Sequence, residues 1–170
     1  MNIADFMTSA QTVNATASNL LKKDSPTDSA DVVKQVNAVV NSYNAMAAQA
    51  KNSSSYMNSA IMKRITNSLN AQQLEQLGIQ KGANGQLHLD QAKLGRNLNE
   101  RFDQTTKALT STVQTIKKET GRIDDLPASA MLSKSMNKLQ LLRGLYNSGS
   151  GTSLFSSTSG TPGLLINTRY

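Results

Sequence analysis

Apolar residues recur along most of this chain at the spacing of helices, not strands. Ile3, Phe6, Ala10, Val13, Ala17 and Leu20 alternate steps of three and four, a heptad stripe whose other positions are polar or small. That stripe predicts a helix from Ile3 to Lys22, with Lys22 and Lys23 favourably placed at its negative end. Ser25-Pro26-Thr27-Asp28 reads as the next start, with Ser25 as N-cap and Pro26 at the first helical position. Val32, Val33, Val36, Val39, Val40, Tyr43, Met46, Ala47 and Ala50 then form one broad apolar face. Valine costs some helix propensity, but the period here is 3.6 and not 2. After the loop-like Asn52-Ser53-Ser54-Ser55, a third helix carries Met57, Ile61, Ile65 and Leu69, with Leu74 near its end.

The period then changes. Leu77-Gly78-Ile79-Gln80 and Gln86-Leu87-His88-Leu89 flank Ala83-Asn84-Gly85, and Asn-Gly between two such runs signals a hairpin. Ile79, Leu87 and Leu89 are expected to pack on the Val36–Tyr43 helix. Asp90 caps a further helix with Leu94 and Leu98 on its face. Another takes Leu109, Val113 and Ile116 and is expected to stop at Gly121, with a break over residues 122–127. Met131, Leu132, Met136, Leu139, Leu142 and Leu145 mark a final amphipathic helix. From Asn147 onward Ser, Gly and Thr predominate, the composition of a flexible tail; Leu164-Leu165-Ile166 is its one apolar run. The fold class expected is all-α in the main, an extended, coiled-coil-like helical bundle with one small β-hairpin near residues 77–89. Its divisions would be an N-terminal helix at 1–24, a helical domain with the hairpin at 25–146, and the tail at 147–170.

Composition narrows the function. No stretch approaches the roughly 18 consecutive apolar residues of a membrane helix, and residues 1–21 lack the basic and apolar regions of a signal peptide. The chain of 170 residues has no Cys, which removes disulfides, thiol catalysis and the common zinc frameworks. A net charge of +7 lies beyond residue 62, and no acidic residue follows Asp125. Lysines and arginines neutralise phosphates, but here they are dispersed single residues and pairs with few aromatics to stack on bases. Solvated helix faces explain them more simply, so nucleic acid and membrane are not expected partners. His88 is the only imidazole; on an alternating strand beside a turn, it reads as solvent-facing filler. Asp124 and Asp125 suit a turn or an N-cap before the last helix. No phosphate-binding loop or carboxylate cluster is present, so no catalytic, cofactor-binding or metal-binding residue is assigned, and no small-molecule substrate is expected.

One ordered set of motifs does carry information. Val33-x-x-Val36 leads to Val40, Tyr43 and Asn44. Leu77-Gly78-Ile79 follows, then Gly85-x-Leu87-x-Leu89-Asp90, then Lys93-Leu94. This order and spacing resembles the C-terminal part of the bacterial flagellar filament-cap family, hook-associated protein 2, with its "V-x-x-Y-N" helix, "L-G-I" and "G-x-L-x-L-D". The resemblance implies a non-enzymatic flagellar component, or an adhesive surface component of that origin. It would be exported through the flagellar type III apparatus without a cleaved signal, and assembled with itself and with axial proteins such as flagellin. It also implies that terminal helices pack between subunits. Ile3, Phe6, Val13 and Leu20, with Leu139 and Leu142, are the expected assembly seam. An intracellular helical adaptor or export-associated binding protein, retained in the cytoplasm, is the alternative.

Overall fold

The computed structural model describes residues 3–22, 28–82 and 84–149. In chain order the elements are α1 (Ile3–Leu20), α2 (Ser29–Asn52), α3 (Ala60–Ser68), α4 (Ala71–Gln76), β1 (Ile79–Lys81), β2 (Leu87–Leu89), α5 (Gln91–Glu100), α6 (Phe102–Asp124), α7 (Ala128–Met131) and α8 (Lys134–Gly149). The protein is therefore mainly α, with one antiparallel hairpin among the described residues. The chain groups into two compact units, Met1–Ser133, which includes α1, and Lys134–Tyr170, which includes α8.

In the first unit, α1 packs along both α2 and α6. Its stripe of Phe6, Ala10, Val13, Ala17 and Leu20 is buried there, and its polar face adds cross-links. Thr16 Oγ1 lies 2.9 Å from Ser42 Oγ on α2, Asn14 Nδ2 donates to the Lys117 carbonyl at 3.4 Å, and Gln11 Nε2 donates to Asp124 Oδ1 at 3.3 Å. The core continues through Val36, Val40, Tyr43 and Met46 of α2 to Ile61 and Ile65 of α3, and includes Leu109, Val113, Ile116 and Ile123 of α6.

Several boundaries differ from the sequence expectation. The start assigned to Ser25, Pro26 and Thr27 lies outside the described residues, and α2 is capped by Asp28, whose carboxylate accepts from the Ala30 N–H at 3.2 Å. The third helix is two, α3 and α4. Asn70 caps α4 by accepting from the Gln72 and Gln73 N–H groups, leaving Leu69 buried at the corner. The helix expected to stop at Gly121 runs on to Asp124, because Ile123 is fully buried and Gly121 faces Asn14 of α1. A Cβ at Gly121 would sit 3.1 Å from Asn14 Nδ2; the glycine admits a neighbour and does not end the helix. Asp124 and Asp125 thus close α6 and do not cap the following helix.

The final helix is also divided. Met131 ends α7, and Leu132 leaves the helix to form an isolated bridge with Met57. Asn58 N–H donates to the Met131 carbonyl at 2.8 Å, and Asn58 Nδ2 to that of Ala130 at 3.1 Å. Ser133 N–H donates to the Tyr56 carbonyl at 2.6 Å. Residues 130–133 are thereby laced to the loop between α2 and α3, and helix resumes only at Lys134. The tail from residue 150, including Leu164-Leu165-Ile166, lies outside the described residues.

Candidate functional site

The motif residues of α2, the hairpin and α5 come together around the two short strands. Asp90 N–H donates to the Gly78 carbonyl and Gly82 N–H to the Gln86 carbonyl, each at 2.8 Å. With Ile79 opposite Leu89 and Lys81 opposite Leu87, those bonds make the intervening positions the non-hydrogen-bonded pairs. The Leu87 backbone groups therefore point out of the hairpin, and Asn44 takes both. Its Nδ2 donates to the Leu87 carbonyl at 2.8 Å, and its Oδ1 accepts from the Leu87 N–H at 2.8 Å. One side-chain amide on α2 thus acts as a one-residue third strand. Without it, a buried strand edge would have two unmatched polar groups.

Tyr43, one residue earlier, is fully buried and its hydroxyl lies 3.0 Å from Thr66 Oγ1 of α3. Burial pushes its pKa above the ordinary tyrosine value, while the bond to Thr66 acts in the opposite direction. Val36 and Val40 fill the buried face of the same helix. Gly78 sits at φ +69°, where α4 turns into β1, and a Cβ there would lie 3.0 Å from the Asp90 carbonyl oxygen. Both the left-handed backbone and the close approach require glycine. Gly85 has φ +75° and donates its N–H to the Gly82 carbonyl at 3.0 Å, closing the hairpin turn. Asp90 caps α5 by accepting from Lys93 N–H at 2.8 Å, and Ile79, Leu87 and Leu94 are buried beneath. Leu89 is half-buried against the same core.

The residues expected to form an assembly seam separate into two groups. Phe6, Val13 and Leu20 face the chain's own core, with Ile3 half-buried beside it. Leu139 and Leu142 of α8 are 57% and 52% exposed, and Leu145 is 61% exposed. At ~100° per residue, Leu139, Leu142 and Leu145 fall within ~120° of the helix circumference, so they form one apolar strip facing solvent.

One feature escaped the sequence reading. Thr105, Thr112 and Glu119 recur every seventh residue along the buried side of α6. Glu119 Oε1 accepts from Arg122 Nη1 at 2.6 Å, and its Oε2 lies 3.2 Å from Arg64 Nε on α3. The signal was available: a glutamate three residues after Ile116 and three before Arg122 lies on the apolar side of its helix. His88 is exposed on β2, and among the described residues no group of acids, His or Cys could hold a metal.

These observations define a helical packing module: its ordered polar residues brace backbone and helix ends, and its exposed chemistry is a leucine strip. The family described as flagellar hook-associated protein 2 C-terminus matches residues 55–147, more than half of the chain, and the chain belongs to that family. A flagellar, cap-like structural role follows from that membership. The match takes in the hairpin, α5, α6 and most of α8, whereas Tyr43 and Asn44 lie before it. No curated protein and no solved structure matches the chain. No helix among the described residues is long and apolar enough to cross a membrane.

Proposed function

We propose that this protein is an exported structural component of the bacterial flagellum that acts by helix-mediated assembly with its own copies and with axial subunits such as flagellin. The family match over residues 55–147 carries the reading. Within it, Met1–Ser133 is the scaffold and α8 is the assembly element. Leu139 and Leu142 contribute the seam between copies, because their strip is exposed while the α1 strip is already covered. Burying such a strip against a second helix in a coiled-coil seam is the ordinary way to remove it from water. Assembly on the filament places the protein outside the cell, delivered by the flagellar type III route.

Deletion of the gene tests this directly. The expected result is shortened or absent filaments and lost motility, with tagged protein found on filaments or in the medium. Complementation with Leu139→Asp/Leu142→Asp should give a folded, exported protein that fails to restore assembly, while His88→Ala should restore it fully. Normal filaments in the deletion strain, with the protein confined to the cytoplasm, would refute the assignment and favour the adaptor alternative.

A further inference from the structure

Between the C-terminal half of α2, the start of α3 and the hairpin turn lies an open groove of about 370 Å³. Its floor is apolar, formed by Ala47, Ala50, Met57 and Met62, and its rim carries Lys51 and Lys63. No acidic residue lines it, and neither lysine has an ion-pair partner among the described residues. The positive end of α3 beside Ser59 and the negative end of α2 beside Lys51 and Ser54 both border the groove and oppose one another, so the charge of the rim is that of its two lysines. Both lysines are exposed; Lys51 sits in the last turn of α2, where the helix end favours a cation, whereas Lys63 lies in the first turn of α3, where it does not.

We propose that the groove is a docking site for a short acidic peptide segment of a partner protein. An aliphatic side chain of that segment rests on the alanines and methionines, and flanking carboxylates meet Lys51 and Lys63. Methionine suits such a surface because its unbranched side chain adapts to the shape it meets. Ala47, Ala50 and Met57 are already buried, so it is the partly exposed Met62 that a polyanion without apolar groups would leave in water, and among the described residues no aromatic side chain lines the groove for a base to stack on. The groove shares no residue with the α8 strip, and its failure would leave the assembly reading untouched.

The test uses the full chain, labelled with nitrogen-15, and two short synthetic peptides: one with a central leucine flanked by glutamates, the other flanked by lysines. The acidic peptide should bind, shift the amides of Ala47, Lys51 and Met62, and weaken as salt is raised. Lys51→Glu/Lys63→Glu should weaken the acidic peptide by at least about tenfold and let the basic one bind instead. The thermal melt should not move, because both side chains are exposed. Met62→Gln should weaken the acidic peptide without creating affinity for the basic one. Absence of binding, equal binding of the two peptides, shifts that map elsewhere, or tighter binding of a single-stranded oligonucleotide would each overturn the proposal.

Discussion

The helices α1 and α8 have similar sequence patterns and opposite fates. Each places apolar residues three or four apart on an otherwise polar helix, and neither is strongly apolar overall. Phe6, Val13 and Leu20 of α1 lie between two long helices of the same chain and exclude water. Leu139, Leu142 and Leu145 of α8 remain more than half exposed. The difference lies in what surrounds each strip. The α1 strip uses Ala10 and Ala17 to let α2 and α6 approach closely, and covalent connection makes those partners available at high effective concentration. The α8 strip is built of leucines and follows the laced segment at residues 130–133, where the first compact unit ends. A heptad strip therefore reports that a helix needs a partner, but not whether that partner is on the same chain.

The largest expected effect comes from breaking the covered strip. Phe6→Ala should destabilise the protein by about 3–5 kcal/mol in chemical denaturation, since the ring is fully buried. Leu142→Ala on α8 should leave the same transition within about 0.5 kcal/mol of the parent. Comparable losses at the two positions would show that α8 is covered within its own chain.

Asn44→Ala probes the hairpin that both compact packing and the family motif depend on. It leaves the Leu87 N–H and carbonyl without their partner, at a cost of about 1–3 kcal/mol for each stranded group. Amide exchange at Leu87 should speed up more than at Val13, which separates local loosening from global unfolding. Tyr43→Phe should cost less, about 0.5–1.5 kcal/mol near neutral pH, for the lost bond to Thr66. Its pH dependence has a definite sign. The folded pKa lies above the unfolded value of about 10, so the native state holds the phenolic proton more tightly. Parent stability should be steady with respect to this group below about pH 10 and fall as pH rises towards the raised folded value. The parent should therefore lose ground to the phenylalanine variant in strong alkali, in denaturation curves recorded across that range.

The smallest effect on stability should belong to Leu139→Asp/Leu142→Asp, within about 0.5 kcal/mol for the Met1–Ser133 unit. Its consequence should appear in sedimentation, as loss of self-association at concentrations where the parent associates. Unchanged association would place the seam elsewhere and sharpen the contrast with α1 in the opposite direction.

The chemistry of single residues was legible where it is local. The helical period, the hairpin from Asn84-Gly85 and the Asp90 cap all depend on backbone preferences within a few residues, so order and spacing were enough to place them. Gly121 shows where that reasoning ends. Glycine after a lysine pair has the form of a helix stop, yet α1 lies against that turn and Ile123 beyond it is buried, so tertiary packing carries the helix through. Met57 and Leu132 show the same limit: their periodicity suits a helix, and pairing across 75 residues of chain makes them a bridge instead. Asn44 could be singled out by its place in a motif, but its task of closing the Leu87 edge exists only once α2 lies beside β2. The sequence by itself determined the helical period of most of the chain, the hairpin around Asn84-Gly85 and the cap at Asp90, because each depends on residues close together in the chain. Only the tertiary structure decided that the α1 strip is covered while the α8 leucines are exposed among the described residues, because that depends on which surfaces of the folded chain meet.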